Sequence, residues 1–259
     1  MSKQPYVQYP EIYLKLLQLI RQFAEESDSD RLPSEENMAA QLGVSRVKVR
    51  DELSKLEAAG YVTRKRGVGT LINRYVLQEA ARLDIDSIYV DIIAHYGYTP
   101  RSVLRRLKSI RDPDPSVVSR LHLQPGESVY IFEKLIYADD KPLILVDDYI
   151  PARYYDSVES DLSMMDSNIF LFLQGMSDEV LETLMVHMDA VSADARLADI
   201  LALEPGAPLM KLDSVCYTKM SAPVMYSVEY FNTKVIPFSF QKRVLSGKYK
   251  RSQTDKSAT

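Results

Sequence analysis

Residues 32–61 read LPSEENMAAQLGVSRVKVRDELSKLEAAGY and contain the signals for two consecutive short helices. Ser34 is a suitable N-cap for the first helix, which is predicted to end at Gly43. Ser45 is suited to begin the second helix, and Gly60 to end it. Two helices joined by a short turn that contains a glycine are typical of a helix-turn-helix motif.

The segments on either side of this motif complete a domain. Apolar residues at helical spacing predict a preceding helix over residues 9–26. After the motif, residues 61–63 and 70–72 flank a basic, glycine-containing tip at 64–67, which is typical of a short β-hairpin. We therefore expect one domain over residues 1–74.

Positive charge is concentrated in this domain, although the whole chain has a formal net charge of −4. Residues 44–70 hold seven Lys and Arg against three Asp and Glu. A local basic patch matters more than the overall sum when a protein meets a polyanion. The charge pattern therefore favours nucleic acid as a partner of this domain.

The second helix of the motif carries basic residues beside its apolar face. Arg46 and Arg50 lie one turn apart at the edge of that face, and Val47 and Lys48 point outward. An arginine can form paired hydrogen bonds to guanine, and a valine can contact a thymine methyl group. A solvated amphipathic helix would explain these residues alone, but the motif and the basic hairpin together favour DNA reading.

These residues resemble the GntR family of bacterial transcription regulators. The resemblance covers about 40 residues in family order, namely 32–35, 42–46, 49–50, Leu53, Leu56, Gly60 and 66–70. It implies a winged helix in which Arg46 and Arg50 read bases, Ser34 and Ser45 hold phosphate, and the Gly67 tip enters the minor groove. The complete set of predicted DNA-contacting residues is Ser34, Ser45, Arg46, Val47, Lys48, Arg50, Lys65, Arg66 and Gly67.

Two positions depart from the family pattern. Glu36 stands where the family commonly has arginine, and Lys48 stands where threonine is common. A carboxylate at position 36 repels the DNA backbone, whereas Lys48 can add a contact to phosphate or guanine. The operator sequence is therefore not expected to be that of relatives.

The second half of the chain contains an internal repeat. Residues 121–126 (LHLQPG) match residues 201–206 (LALEPG), and Tyr137 and Tyr217 follow the two glycines by the same interval. Each unit is predicted to be a short helix that ends at a Pro-Gly turn, followed by a two-stranded hairpin. Two such hairpins side by side form one antiparallel sheet with a pseudo-twofold axis, because two units are too few for a solenoid.

This arrangement resembles the UTRA effector domain, which follows the winged helix in the HutC branch of the GntR family and shares a fold with chorismate lyase. The resemblance covers residues 87–244, after a linker at 75–86, and a polar, disordered tail is expected over 245–259. The predicted fold class is α+β: an N-terminal winged helix-turn-helix followed by a chorismate-lyase-like antiparallel sheet domain with flanking helices. The resemblance implies a small-molecule effector.

The candidate effector-binding residues are Lys134, Asn168 and Glu229. Relatives that bind phosphorylated sugars often have Arg-x-Arg where this chain has Lys134 and Ile136, so a sugar phosphate is less expected here. We expect a small polar metabolite with an anionic group that meets Lys134 and a donor that meets Glu229. A surface carboxylate is an equally good interpretation of Glu229. The basic residues within 101–111 either bind an anion or, as we favour, lie on an exposed strand face.

Neither catalysis nor a metal site is indicated. The single cysteine, Cys216, excludes a disulfide framework, and the three histidines (His95, His122 and His187) are far apart. No nucleophile-base pairing and no phosphate loop are recognisable, so neither an enzyme nor a bound cofactor is expected. A lyase-like enzyme of the chorismate-lyase fold that carries a DNA-binding domain is the alternative.

No apolar run approaches the ~20 residues that span a bilayer, and the first ten residues do not resemble a signal peptide. The sequence therefore predicts a cytoplasmic protein without a membrane partner. Its expected function is that of a ligand-responsive transcription regulator, a repressor that binds an inverted-repeat operator in double-stranded DNA as a homodimer.

Overall fold

The computed structural model describes residues 11–78, 81–83, 89–155, 169, 173 and 181–242. The tail at 245–259 and the candidate effector residue Asn168 lie outside the described residues.

The N-terminal domain contains the helix-turn-helix and the hairpin that the sequence predicts. Its elements are α1 (Glu11–Glu26), α2 (Glu35–Leu42), α3 (Arg46–Ala58), β1 (Val62–Lys65) and β2 (Gly69–Ile72). The antiparallel pairing of β1 with β2 forms the wing.

Local capping explains where α2 and α3 begin and end. The Ser34 hydroxyl accepts a hydrogen bond from the backbone N–H of Asn37, and the Ser45 hydroxyl accepts one from that of Lys48. These bonds satisfy N–H groups that the first turn of a helix leaves free. Gly43 ends α2 with a φ of 66°, a left-handed conformation that glycine adopts without strain.

The core of this domain is formed by apolar residues from all three helices and the wing. Val49, Leu53 and Leu56 of α3 are fully buried against Leu16 and Ile20 of α1. Burial of such side chains is the main source of stability in a domain of this size. The opposite face of α3 is thereby left for contacts with other molecules.

A short helix, α4 (Arg74–Leu77), follows the wing. Val76 and Leu77 belong to the core of the N-terminal domain, whereas Ala81 is buried in the core of the second domain. The described residues of the segment between the two domains therefore contribute side chains to both cores.

The second domain is built on a six-stranded antiparallel sheet with the strand order β3-β4-β5-β8-β7-β6. The strands are β3 (Pro100–Arg111), β4 (Ser128–Ala138), β5 (Lys141–Pro151), β6 (Leu181–Ser192), β7 (Pro208–Thr218) and β8 (Pro223–Phe231). The helices are α5 (Tyr89–His95), α6 (Pro115–Leu121), α7 (Ala152–Tyr155) and α8 (Ala195–Ile200).

The predicted pseudo-twofold arrangement is confirmed. The hairpins β4-β5 and β7-β8 lie side by side, and β5 pairs with β8 at the centre of the sheet. Each hairpin is preceded by a short helix and a Pro-Gly turn. Gly126 and Gly206 have φ values of 79° and 84°, which explains why both turns contain glycine.

The two faces of the sheet are covered by different helices. On one face, α6 and α8 pack against alternate residues such as Val215, Leu135 and Leu145. On the other face, α5 packs against Ile144 and Phe231. This second face contains the candidate effector residues.

Candidate DNA-contact surface and effector site

The predicted reading residues lie at the exposed N-terminal end of α3. The side chains of Arg46 and Arg50 are 53% and 54% exposed. Val47 is 68% exposed, although it is apolar. Lys48 is partly exposed and lies beside buried Glu52, one turn later in α3, with its Nζ 3.4 Å from Oε1. This end of α3 therefore offers two guanidiniums, an ammonium and a small apolar side chain to a partner.

Two carboxylates from the start of α2 bind these arginines. Arg46 donates to Glu35 over 3.0 Å and to Glu36 over 2.7 Å, and Arg50 donates to Glu35 over 3.2 Å. Partial burial tends to raise the pKa of Glu35, but the hydrogen bonds from Arg50 and Arg46 outweigh it and lower that pKa. Any DNA base or phosphate that paired with these arginines would therefore have to displace carboxylates that already bind them.

The serines Ser34 and Ser45 flank this surface. Each hydroxyl oxygen accepts a backbone N–H, so its own O–H is left to donate. Both residues are exposed. Hydroxyls and N–H groups at helix starts are common phosphate contacts.

The wing has a fixed base and a free tip. Arg64 donates to Glu57 through its backbone N–H and its Nε, both over 2.8 Å, which ties the wing to α3. Lys65 and Arg66 are exposed at the tip, and Gly67 has a φ of 79° that suits the tight turn. Of the three basic residues in the wing, Arg64 is therefore structural and the other two are available to DNA.

In the second domain, Lys134 and Glu229 lie on the same face of the sheet. Lys134 of β4 stands opposite Val146 of β5, which stands opposite Glu229 of β8. Cross-strand partners share a face, and so do residues two positions apart. Asp148 and Ser227 are therefore on the same face in the next row.

Four residues of this face and one residue of α5 form what we call the polar cluster: Lys134, Asp148, Ser227, Glu229 and Tyr89. Lys134 Nζ lies 2.8 Å from Asp148 Oδ2, and the Ser227 hydroxyl donates to Asp148 Oδ1 over 2.5 Å. The Tyr89 hydroxyl donates to Glu229 Oε2 over 2.7 Å. Lys134, Asp148 and Ser227 are all buried.

Burial and the neighbouring polar groups shift the pKa of Glu229 in the polar cluster. Burial raises the pKa of Glu229 to about 7, while the Tyr89 hydrogen bond and the Lys134 charge oppose the rise. Burial, and then the charge of Glu229, raise the pKa of Tyr89 well above its ordinary value. Glu229 is half-buried and hydrogen-bonded, so it differs from the surface strand carboxylate that was the alternative interpretation.

Sequence reasoning missed three members of the polar cluster. Tyr89, Asp148 and Ser227 were not among the candidates, and Lys134, expected to meet a ligand anion, already binds Asp148. A signal for Asp148 existed, because it occupies in the first repeat the position of Glu229 in the second. No local pattern indicates Tyr89, because its partner is 140 residues away.

The basic stretch at 101–111 forms the edge strand β3 with mostly exposed charges. Arg105 and Arg106 pair with Glu133 over 3.4 Å and 2.9 Å, and the Arg101 guanidinium lies 3.8 Å from the centre of the Tyr137 ring. These contacts agree with the expected exposed strand face.

A second set of charges lies on the face covered by α8. Arg196 of α8 pairs with Glu133, and Asp147 is buried beside this pair. Burial raises the pKa of Asp147 to about 6. Within the part of the chain that the structure describes, no group of three or more His, Cys, Asp or Glu side chains is arranged to hold a metal ion.

No helix among the described residues is both long and apolar enough to cross a membrane.

Comparisons with known proteins agree with this geometry. Residues 8–72 match the family described as "Bacterial regulatory proteins, gntR family", and residues 95–236 match the UTRA domain. The chain is 24% identical over 211 residues to the HTH-type transcriptional regulator GgaR of Escherichia coli (strain K12), with 80% of each protein covered. It is 26% identical over 186 residues to the HTH-type transcriptional repressor NagR of Bacillus subtilis (strain 168), which covers 72% of this chain and 74% of NagR.

Solved structures share the fold of both domains. The possible transcriptional regulator YydK from Bacillus subtilis subsp. subtilis str. 168 superposes with a TM-score of 0.70 at 20% identity, covering 90% of this chain and 99% of YydK. PhnF from Mycobacterium smegmatis superposes with a TM-score of 0.56 at 18% identity, with the same coverage. Regulators of this family are not enzymes, so the lyase alternative has no support. The chain belongs to the gntR family of bacterial regulatory proteins with a UTRA domain, and it is a DNA-binding transcription regulator that responds to a small-molecule ligand.

Proposed function

We propose that the protein is a repressor that binds an inverted-repeat operator as a homodimer and releases it when a small polar metabolite binds the polar cluster. The observation that carries this proposal is the exposed end of α3, where Arg46 and Arg50 are about half exposed and are bound by the carboxylates of Glu35 and Glu36. Repression is supported by the names of relatives, among them the repressor NagR and a probable fructoselysine utilization operon transcriptional repressor of Shigella flexneri.

The edge strand β6 is the proposed contact between two copies. It is the last strand in the order of the described sheet, and four of its apolar side chains, Leu184, Met185, Val186 and Met188, are 40–53% exposed. The opposite edge, β3, is protected by charged side chains, as solvent-exposed edges usually are. An unprotected apolar edge favours pairing with another strand.

A second copy of β6 fits this edge in antiparallel pairing. A twofold axis at Val186 places Leu184 opposite Met188 of the second copy, so apolar side chains meet on one face. The same register sets Asp189 opposite Thr183, so that no like charges face each other. A twofold dimer matches the symmetry of an inverted repeat, and two α3 helices contact more bases than one.

The effector is proposed to bind through Glu229. Lys134 is paired with Asp148, whereas Glu229 accepts a hydrogen bond from a neutral hydroxyl, that of Tyr89, which a ligand donor can replace. Its carboxylate suits a ligand hydroxyl or ammonium, and the Lys134 ammonium, which has three N–H donors, suits a ligand oxygen. Apolar residues such as Ile144 and Phe231 on one side, and Ile150 on the other, limit the polar area to a small ligand.

The test combines DNA selection with a ligand screen. The full chain is used to select duplexes from a random pool, and the selected site serves as the operator. Polar metabolites are screened by thermal shift, because a ligand raises the apparent stability of the state it binds. We expect an inverted repeat and at least one hit that lowers operator affinity in wild type but not in Glu229→Gln. A chain that enriches no sequence would contradict the proposal.

A further inference from the structure

The segment between the domains pairs with the end of the second domain. Leu83 N–H donates to the carbonyl of Ser239, and Ser239 N–H donates to the carbonyl of Ala81, both over 2.8 Å. Arg82 lies between these two bonds in a parallel bridge with Ser239. Although it is charged, Arg82 is only 3% exposed.

The side chain of Arg82 reaches into the N-terminal domain. Its Nη1 donates to the carbonyl of Ala59 over 2.6 Å, and its guanidinium lies 5.4 Å from the centre of the Tyr61 ring. Ala59 is the C-cap of α3, the helix whose other end carries Arg46. A cation at a helix C-terminus interacts favourably with the free carbonyls and the helix dipole.

A second contact joins the domains at the same place. A Cβ on Gly60 would lie 2.4 Å from Oε1 of Gln241, so the side chain of Gln241 approaches the backbone of residue 60 directly. The C-terminal segment of the second domain and Arg82 therefore both contact the junction between α3 and the wing.

A continuous set of contacts connects Arg82 to the polar cluster. Tyr89 donates to Glu229, and its ring meets the ring of Phe231 edge-on at 5.7 Å. The ring of Phe231 in turn lies 4.8 Å from the ring of Phe238, measured between centroids. The next residue, Ser239, forms backbone hydrogen bonds with Ala81 and Leu83, the two neighbours of Arg82. The steps of this route are packed rings, hydrogen bonds and neighbouring residues of the chain, all of them described.

We propose that Arg82 is the positioning residue through which the effector domain sets the orientation of α3 on DNA. A ligand that takes the place of the Tyr89 hydroxyl at Glu229 frees the Tyr89 ring, and the change reaches Arg82 through Phe231, Phe238 and Ser239. This inference rests on the proposed function, because it requires an effector at Glu229. A site can influence DNA only by favouring one arrangement of the reading helix over another.

The test is a double-mutant cycle on operator affinity in the full chain, with the selected duplex as the probe. Tyr89→Phe removes the hydrogen bond to Glu229 and imitates the effect of a ligand. In the wild-type background, we expect Tyr89→Phe to change operator affinity by about fivefold or more, which is the lower end of the range for allosteric couplings. In an Arg82→Met background, we expect the same substitution to change operator affinity by less than about twofold.

Arg74→Met is the matched control. Arg74 also donates to backbone carbonyls, those of Ala24 and Ser27, but both lie within the N-terminal domain. We expect Arg74→Met to lower the melting temperature and to leave the effect of Tyr89→Phe on operator affinity unchanged. A merely structural Arg82 would behave in the same way as Arg74.

Hydrogen exchange provides a readout that does not depend on the folding of Arg82→Met. In Tyr89→Phe, exchange of the backbone amides at 59–63 is expected to be faster than in wild type, because their support from the second domain is weakened. Additive effects in the cycle, or unchanged exchange at 59–63, would overturn the role of Arg82. Two other results would instead overturn the proposed function. The first is that wild type selects no duplex, and the second is that Arg46→Ala binds the selected duplex as tightly as wild type does.

Discussion

The N-terminal end of α3 and the polar cluster both hold basic side chains against carboxylates, yet they differ in exposure. At α3, Arg46 and Arg50 are about half exposed, whereas the side chains of Lys134 and Asp148 are 8% and 2% exposed. An exposed ion pair contributes little to stability and exchanges partners readily, while a buried pair is expensive to break. The first arrangement is compatible with the proposed exchange of carboxylates for DNA, and the second with a rigid scaffold around the proposed ligand contact, Glu229.

The largest expected effect is on stability, from breaking the buried pair. Asp148→Asn removes the carboxylate that pairs directly with the buried Lys134 ammonium, which is expected to lower the free energy of unfolding by about 3–5 kcal/mol. Glu35→Gln, at the exposed pairs, should lower it by less than about 1 kcal/mol. Denaturant unfolding of both variants measures the difference. Equal losses would remove the distinction between the two regions.

The next effect is a dependence of stability on pH. Burial raises the pKa of Glu229 from its usual 4.5 to about 7, so between these values the folded chain holds a proton that the unfolded chain has released. This contribution to stability is complete below pH 4.5 and is lost as pH rises through 7. Over this pH range, the free energy of unfolding of Glu229→Gln is expected to change by about 1–2 kcal/mol less than that of wild type.

Asp147 adds a change of the same sign, since burial raises its pKa to about 6. The comparison is therefore made in an Asp147→Asn background, with and without Glu229→Gln. An unchanged profile between pH 5 and about 7.5 would show that Glu229 titrates normally in the folded chain.

A smaller effect is expected on DNA affinity at the tip of the wing. Lys65→Ala should weaken binding to all duplexes by a similar factor and reduce the slope of log affinity against log salt by about 1, as the loss of one phosphate contact requires. Lys108→Ala, which removes an exposed lysine from β3 in the second domain, is the control and should leave the slope unchanged. A Lys65→Ala protein with the wild-type slope would exclude the tip from the interface.

The smallest effect is expected at Glu36, which is exposed and binds Arg46 over 2.7 Å. Glu36→Gln removes a charge that both repels DNA and competes for Arg46. Affinity for any duplex should therefore rise by about two- to threefold at low salt, and the gain should vanish at high salt. Glu204→Gln, an exposed carboxylate of the second domain, should change nothing. A decrease in affinity would mean that Glu36 itself contacts DNA.

The features that the sequence predicted correctly are those with local causes. Ser34, Gly43 and Ser45 place the ends of α2 and α3 through hydrogen bonds within a few residues, so the motif is readable from the chain alone. The Pro-Gly turns at Gly126 and Gly206 made the pseudo-twofold sheet predictable in the same way.

The features that escaped sequence reasoning depend on register and on contacts between domains. The pairing of Lys134 with Asp148 requires the alignment of β4 with β5, and that of Tyr89 with Glu229 requires the packing of α5 on the sheet. Arg82 was part of a segment that composition alone described as a polar linker, because nothing in the sequence indicates its partner Ala59.

The most direct test of the central claim is a comparison of the sequences that wild type and Arg46→Ala select from random duplexes. If Arg46 reads a base, the variant should lose its preference, most readily one for guanine, at one position of each half-site and keep it elsewhere. Affinity for the wild-type operator should fall roughly 5- to 150-fold. Arg111→Ala, an exposed arginine of β3, should select the wild-type sequence. Identical preferences for wild type and Arg46→Ala would contradict the assignment of α3 as the reading helix.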